Sequence, residues 1–144
     1  MKKESKKAVE YFNSGYCWSE AVLLSVSESK GIKSDLIPKI ATGFCGGMSH
    51  TDGQCGAISG GMLAIDMIHG RANPSDPRGN SENKVQKLIS TFKDEFKSTK
   101  CYELTGCDLG TEEGQEKYNI EEKYELCDKF VAKATDKTLE LIDE

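Results

Sequence analysis

Six cysteines, Cys17, Cys45, Cys55, Cys101, Cys107 and Cys127, carry the chemistry available to this 144-residue chain. Thiolates attack electrophiles, exchange disulfides and bind soft metals. No two of the six stand as Cys-x-x-Cys. That spacing argues against zinc ribbons, thioredoxin-like loops, c-type haem attachment and ferredoxin-type clusters. A shared sulfur site must therefore be assembled by the fold, from separate helices.

Cys55 is the sharpest candidate. It lies in GQCGAISGG, where a glycine-rich loop feeds the first turn of an apolar helix. Free N–H groups and the helix dipole favour a thiolate there and lower the thiol pKa. Gly56, Gly60 and Gly61 leave one helix face bare for a neighbouring helix or a cofactor, and tight packing alone would also want small residues. Cys45 stands ten residues earlier, across the same loop, in GFCGGM. Folding that loop back brings the two sulfurs together at little entropic cost, for a disulfide or a shared metal, unless Cys45 is an incidental turn residue. Cys127 falls on an apolar helical stripe, where a buried core thiol is the ordinary role. Cys101 and Cys107 flank a turn ending at Gly106, and Cys17 starts a helix just after Gly15, repeating the placement of Cys55. The two histidines offer less. His50 reads as an exposed loop residue near Cys55, and His69 as a residue matched to a helix C-terminus. The chain carries no Walker loop, nucleophile elbow or paired-carboxylate motif.

The elements that must position these sulfurs read as helices. Val85, Leu88, Ile89, Phe92 and Phe96 share one stripe, as do Tyr124, Cys127, Phe130, Val131, Ala134 and Thr138. Ala21, Val22, Leu24 and Val26 belong to a helix ending near Gly31. Ser34 caps a short helix through Ile40, irregular at Pro38. Another runs from Cys55 to about His69. Loops fall at Gly43–Gly53, Asn73–Asn80 and Gly106–Gly114. No segment alternates with period two between hairpin turns. The expectation is an all-α fold: residues 1–144 as one domain, a bundle of five to six helices with little or no sheet.

Composition narrows the function classes. Net charge is −5, from 24 acidic and 19 basic residues, which gives no footprint for nucleic acid. Lys2, Lys3, Lys6 and Lys7 read as a solvated helix face. No apolar run approaches the roughly 20 residues of a membrane span, so no membrane insertion is expected. The first residues lack the apolar stretch of a secretory signal. These features point to a soluble, cytoplasmic protein, where reduced thiols serve metal, redox or catalytic ends more than structural disulfides.

Several segments together then resemble one known family. They are GYCWSEAVL (Gly15–Leu23), the run Ile40–Gly61 with CGAISG (Cys55–Gly60) at its end, and CYELTGCDLGTEEGQ (Cys101–Gln115). In this order they are similar to a redox-active family named for four cysteines around a Cys-Gly-Ala-x-x-Gly motif, and the likeness covers nearly the whole chain. The resemblance implies that Cys55, Cys101 and Cys127 are core-motif thiols. It places the family's first cysteine where Trp18 stands here. Cys17 lies one residue earlier, about 100° around a helix, so Cys17, Cys45 or Cys107 would have to complete a four-thiol site. The family's redox assignment rests on its cysteines and on selenocysteine-bearing members, and its genes often neighbour transporter genes, implying a functional link to a transporter. Split-Soret cytochromes carry similar sequence with haem and iron, but this chain lacks the haem-attachment motif.

Three functions compete. The first is thiol–disulfide redox, including enzymatic oxidoreduction, with Cys55 as attacking thiolate, Cys45, Cys101 or Cys127 as its partner, and an unidentified redox partner outside. The second is a metal or iron–sulfur module, with zinc or a cluster held by several of Cys17, Cys45, Cys55, Cys101, Cys107 and Cys127. The third is a non-catalytic helical protein, packing or binding a partner or forming an oligomer, with its cysteines as small core residues.

Overall fold

The computed structural model describes residues 2–144, and its regular structure is helical. Eight α-helices follow in order: α1 (Lys3–Asn13), α2 (Trp18–Ser29), α3 (Cys45–Met48), α4 (Gly56–His69), α5 (Gly79–Phe96), α6 (Cys101–Thr105), α7 (Glu112–Ile120) and α8 (Tyr124–Ile142). A 3-10 turn, Lys39–Phe44, precedes α3. Among the described residues the β-pairing is one isolated bridge, Gln54 with Lys100.

The all-α expectation holds, and the count of five to six helices is corrected to eight. The additions are short or polar, and α3 is a four-residue turn whose Gly46 and Gly47 are left-handed rather than α-helical. α6 has five residues before Gly106 stops it at φ 73°, too few to display a period. α7 buries only Gly114 among its residues, so it has no apolar stripe; what starts it is Thr111, whose hydroxyl accepts the Gly114 N–H at 3.0 Å. The short helix expected over Ser34–Ile40 does not form. The Ser34 hydroxyl instead accepts the Leu36 N–H in a local turn, the Ile37–Pro38 peptide is cis, and the 3-10 turn follows.

The long helices obey their stripes. Leu88 and Phe92 of α5 are buried, and Phe92, Phe96 and Phe130 form an aromatic trio with centroids 4.8–5.6 Å apart. α8 buries Cys127, Phe130, Val131, Ala134 and Thr138 against α1, α2, α4 and α5. α4 lies at the centre, with every residue from Gly56 to Gly61 buried. Its glycines set how near its neighbours come. A side-chain carbon at Gly60 would stand 2.5 Å from the Ser19 carbonyl oxygen and 2.9 Å from Ser19 Cα, so α2 and α4 touch backbone to backbone. One turn earlier, a carbon at Gly56 would meet Trp18 Cβ at 3.1 Å and Cys45 Cα at 3.3 Å.

Because Ser19 presents backbone rather than a movable side-chain end, Gly60→Ala is expected to destabilise the fold by about 1–3 kcal/mol, the usual cost of overpacking. Gly79→Ala, which meets nothing within 4 Å, is expected to lose no stability. Urea unfolding of the two variants checks this; equal midpoints would remove the close approach.

Candidate functional site

Two neighbouring sulfur groups gather at the N-terminal ends of α2 and α4. The outer group is Cys17 and Cys45. Cys17 is the N-cap of α2, half-buried, and its N–H donates to Glu20 Oε1 at 3.0 Å. Cys45 opens α3 and is buried. The two are 28 residues apart in sequence, with Cα atoms 5.9 Å apart, and their sulfurs are at disulfide-bonding distance. The Ser19 hydroxyl lies 2.8 Å from Cys45 Sγ and donates to the Ala41 carbonyl at 2.6 Å. The Glu20 carboxylate accepts a hydrogen bond from the Thr42 hydroxyl at 2.6 Å. The Cys17 and Cys45 sulfurs and a Glu20 carboxylate oxygen all lie within 4.8 Å of one another.

The inner group is Cys55, Cys101 and Cys127. These three line one small cavity, about 10 Å³, with Trp18, Gly46, Gly47 and Phe130 among its other walls. Backbone pairing sets the first two side by side: the Cys55 N–H donates to the Thr99 carbonyl at 2.7 Å and the Cys101 N–H to the Gly53 carbonyl at 3.1 Å. Gly47 lets Cys101 approach, since a side-chain carbon there would stand 2.7 Å from Cys101 Cβ. Cys127 arrives from α8. Cys107, 1% exposed, adjoins Cys101 in a second crevice with Asp52 and Asp108.

Between the groups the chain takes a left-handed path. Gly46, Gly47, Met48, Ser49 and His50 all have φ between 59° and 77°, and Asp52 has 58°. For the non-glycine residues that conformation costs on the order of 1–2 kcal/mol each. Local bonds offset it: the Ser49 hydroxyl donates to Gly43 O at 2.7 Å, and the Thr51 hydroxyl to Met48 O at 2.8 Å.

Electrostatics reverse one expectation. Cys55 does cap an α-helix, and the N–H groups of Ala57 and Ile58 favour its thiolate. Yet burial outweighs them and pushes the Cys55 thiol up to about 12, helped by Cys127 and Cys101. Burial likewise raises Cys101 to about 11, with Cys127, Asp52 and Cys107 adding to it. Cys127 is raised by burial too, while hydrogen bonds from Tyr118 and Trp18 hold it down in part. The Tyr118 hydroxyl is buried facing the Cys127 thiol, and its own pKa is pushed far up by burial. The inner thiols are therefore protonated at neutral pH, and Cys55 is not a standing thiolate.

The structure thus places the sequence candidates in two sets. Cys55, Cys101 and Cys127 come together as a trio. Cys45 does not fold back onto Cys55; it meets Cys17, because the α2–α4 approach sets Cys17 across from it. Trp18, one residue on, points its ring toward the inner cavity. His50 is exposed, with its ring against Gly46, and His69 Nε2 donates to the Ile142 carbonyl at the end of α8, 3.0 Å away. Sequence reasoning missed Glu20 and Tyr118. The spacing of Glu20, three residues past a helix-starting Cys17, was the available signal for the first; Tyr118 sits in a polar helix and had none.

The raised thiols carry a pH consequence. Between the ordinary thiol value near 9 and about 12, the folded chain holds the Cys55 proton that the unfolded chain has lost. Stability is therefore expected to be fully retained below about pH 9 and to fall as pH rises toward 12. The slope should be shallower in Cys55→Ala. Parallel slopes in urea titrations at pH 8 to 11 would contradict the burial of that thiol.

No helix is long and apolar enough to cross a membrane among the described residues. No curated protein and no solved structure matches the chain. The family described as "Putative redox-active protein (C_GCAxxG_C_C)" matches residues 16–141, a span containing all six cysteines and both sulfur groups. The chain belongs to the C_GCAxxG_C_C family.

Proposed function

We propose that this protein is a thiol–disulfide redox protein whose working couple is Cys17 and Cys45. The observation that carries this reading is their convergence from distant parts of the chain, Cα to Cα 5.9 Å, with Cys17 half-buried at the rim of the fold. A thiolate of a partner dithiol would attack Cys17 Sγ and form a mixed disulfide, with Cys45 leaving as thiolate beside the Ser19 hydroxyl. The partner's second thiol would then release Cys17. Two electrons pass to the pair, Cys17 and Cys45 take up two protons, and the partner leaves as a disulfide. This assigns Cys45 to Cys17 rather than to Cys55. Cys55, Cys101 and Cys127 would serve as an inner reserve of thiols, shielded from chance oxidation by their burial and protonation.

One observation favours a second reading for that inner trio. Three thiols face a common cavity of about 10 Å³, close to the room that one water needs. Soft thiolates suit zinc or an iron–sulfur centre, and a metal expels thiol protons on binding despite a high pKa. Absorbance and metal analysis of anaerobically purified protein test it, and colourless, metal-free protein speaks against it.

The redox reading predicts six free thiols after full reduction and four after mild oxidation, with mass mapping placing the new bond between Cys17 and Cys45. Cys45→Ser should keep all five of its thiols under the same oxidant. A count that stays at six, or a bond joining other cysteines, would end this assignment.

A further inference from the structure

We propose that the reduced Cys17–Cys45 pair and the Glu20 carboxylate together bind one zinc ion, and that closing the disulfide expels it. The inference rests on reading the pair as the redox couple and adds a ligand to the same site. Its basis is a three-donor group drawn from two parts of the chain. Cys17 and Glu20 stand three residues apart at the start of α2, on one helix face, and Cys45 faces them from the other side of the 3-10 turn. All three donor atoms lie within 4.8 Å of one another. Zinc bonds of about 2.3 Å to sulfur and about 2.0–2.2 Å to carboxylate oxygen place tetrahedral donors about 3.5–4 Å apart, so small side-chain rotations close the shell.

Glu20 is already held for this role. One oxygen accepts the Cys17 N–H at 3.0 Å and the other the Thr42 hydroxyl at 2.6 Å. Each carboxylate oxygen keeps a further lone pair for a metal. Such fixed outer partners orient a ligand before the metal arrives. Two thiolates and a carboxylate outweigh the charge of a divalent cation. Because Cys17 and Glu20 are only half-buried, water supplies the fourth position.

Zinc and the disulfide compete for the same sulfur electrons. With a small-molecule disulfide as oxidant, the two zinc-bound thiolates give up two electrons and join. The oxidant's S–S bond breaks and leaves as two thiolates, and Zn²⁺ passes to solvent. No proton is required. A dithiol reductant plus Zn²⁺ runs the exchange backwards.

The test starts from fully reduced protein, with zinc binding measured by equilibrium dialysis and Co²⁺ as the spectroscopic probe. Wild type should bind one more equivalent than Cys17→Ser or Cys45→Ser, and the lost Co²⁺ signal should be its thiolate charge-transfer band. Glu20→Gln should weaken binding at this site by at least about 10-fold, the lower end of what even outer partners of a metal are worth. Gln keeps the capping bond at this position, so the variant should retain its helix content by circular dichroism. Adding oxidised glutathione should release zinc in step with the loss of two thiols. Equal stoichiometry in wild type and Cys17→Ser, or unchanged affinity in Glu20→Gln, would overturn the site. Zinc that stays bound after two thiols are lost would overturn the release. The two readings fail separately: a Cys17–Cys45 disulfide in a chain that binds no zinc keeps the couple and sinks the ion, and zinc on a chain that never forms the disulfide does the reverse.

Discussion

The backbone of α4 at Gly60 lies against the backbone of α2 at Ser19, and the placement of both sulfur groups follows from that approach. Ser19 is flanked by the residues that matter: Cys17 and Trp18 before it, Glu20 after it. Holding Ser19 against α4 fixes all of them at once. Gly56, one turn nearer the helix start, extends the bare strip to Trp18 Cβ and Cys45 Cα. The glycines of the Cys-Gly-Ala-x-x-Gly segment thus act less on Cys55 itself than on what is allowed to stand beside it. Any side chain there would part the two helices, and with them the contact between Cys17 and Cys45.

A second contest sets the protonation of the inner sulfurs. At Cys55 the helix start and the low-dielectric interior pull in opposite directions, and desolvation wins, helped by the neighbouring Cys127 and Cys101. Cys17, by contrast, caps α2 at the rim and is half-buried. The family motif cysteine and the more exposed sulfur are therefore different residues: Cys55 lines the inner cavity with Trp18 and Gly46, while Cys17 sits half-buried at the rim against the buried Cys45.

Much of the fold was legible because its long helices carry their burial on periodic stripes. Leu88 and Phe92 in α5, and Cys127, Phe130 and Val131 in α8, went inside as their spacing implied. The start of α4 at Cys55 was legible from its glycines. What stayed hidden has physical reasons. α6 is too short for a period, and α7 buries only a glycine. The meeting of Cys17 with Cys45 spans 28 residues and depends on a helix–helix distance that no local pattern encodes. The pKa direction at Cys55 failed for a related cause: local sequence reveals a helix terminus, whereas burial depends on α6 and α8, which arrive from elsewhere.

Trp18 has a use beyond packing. It is the only tryptophan in the chain, and it stands against the inner cavity, in hydrogen-bonding reach of Cys127. Its ring also lies 5.5 Å from that of Phe12 and 6.3 Å from that of Tyr118. Thiols and thiolates quench indole emission to different extents, so whatever happens to these sulfurs is written into the intrinsic fluorescence of the protein. The single indole is thus a built-in optical gauge of the chamber it lines.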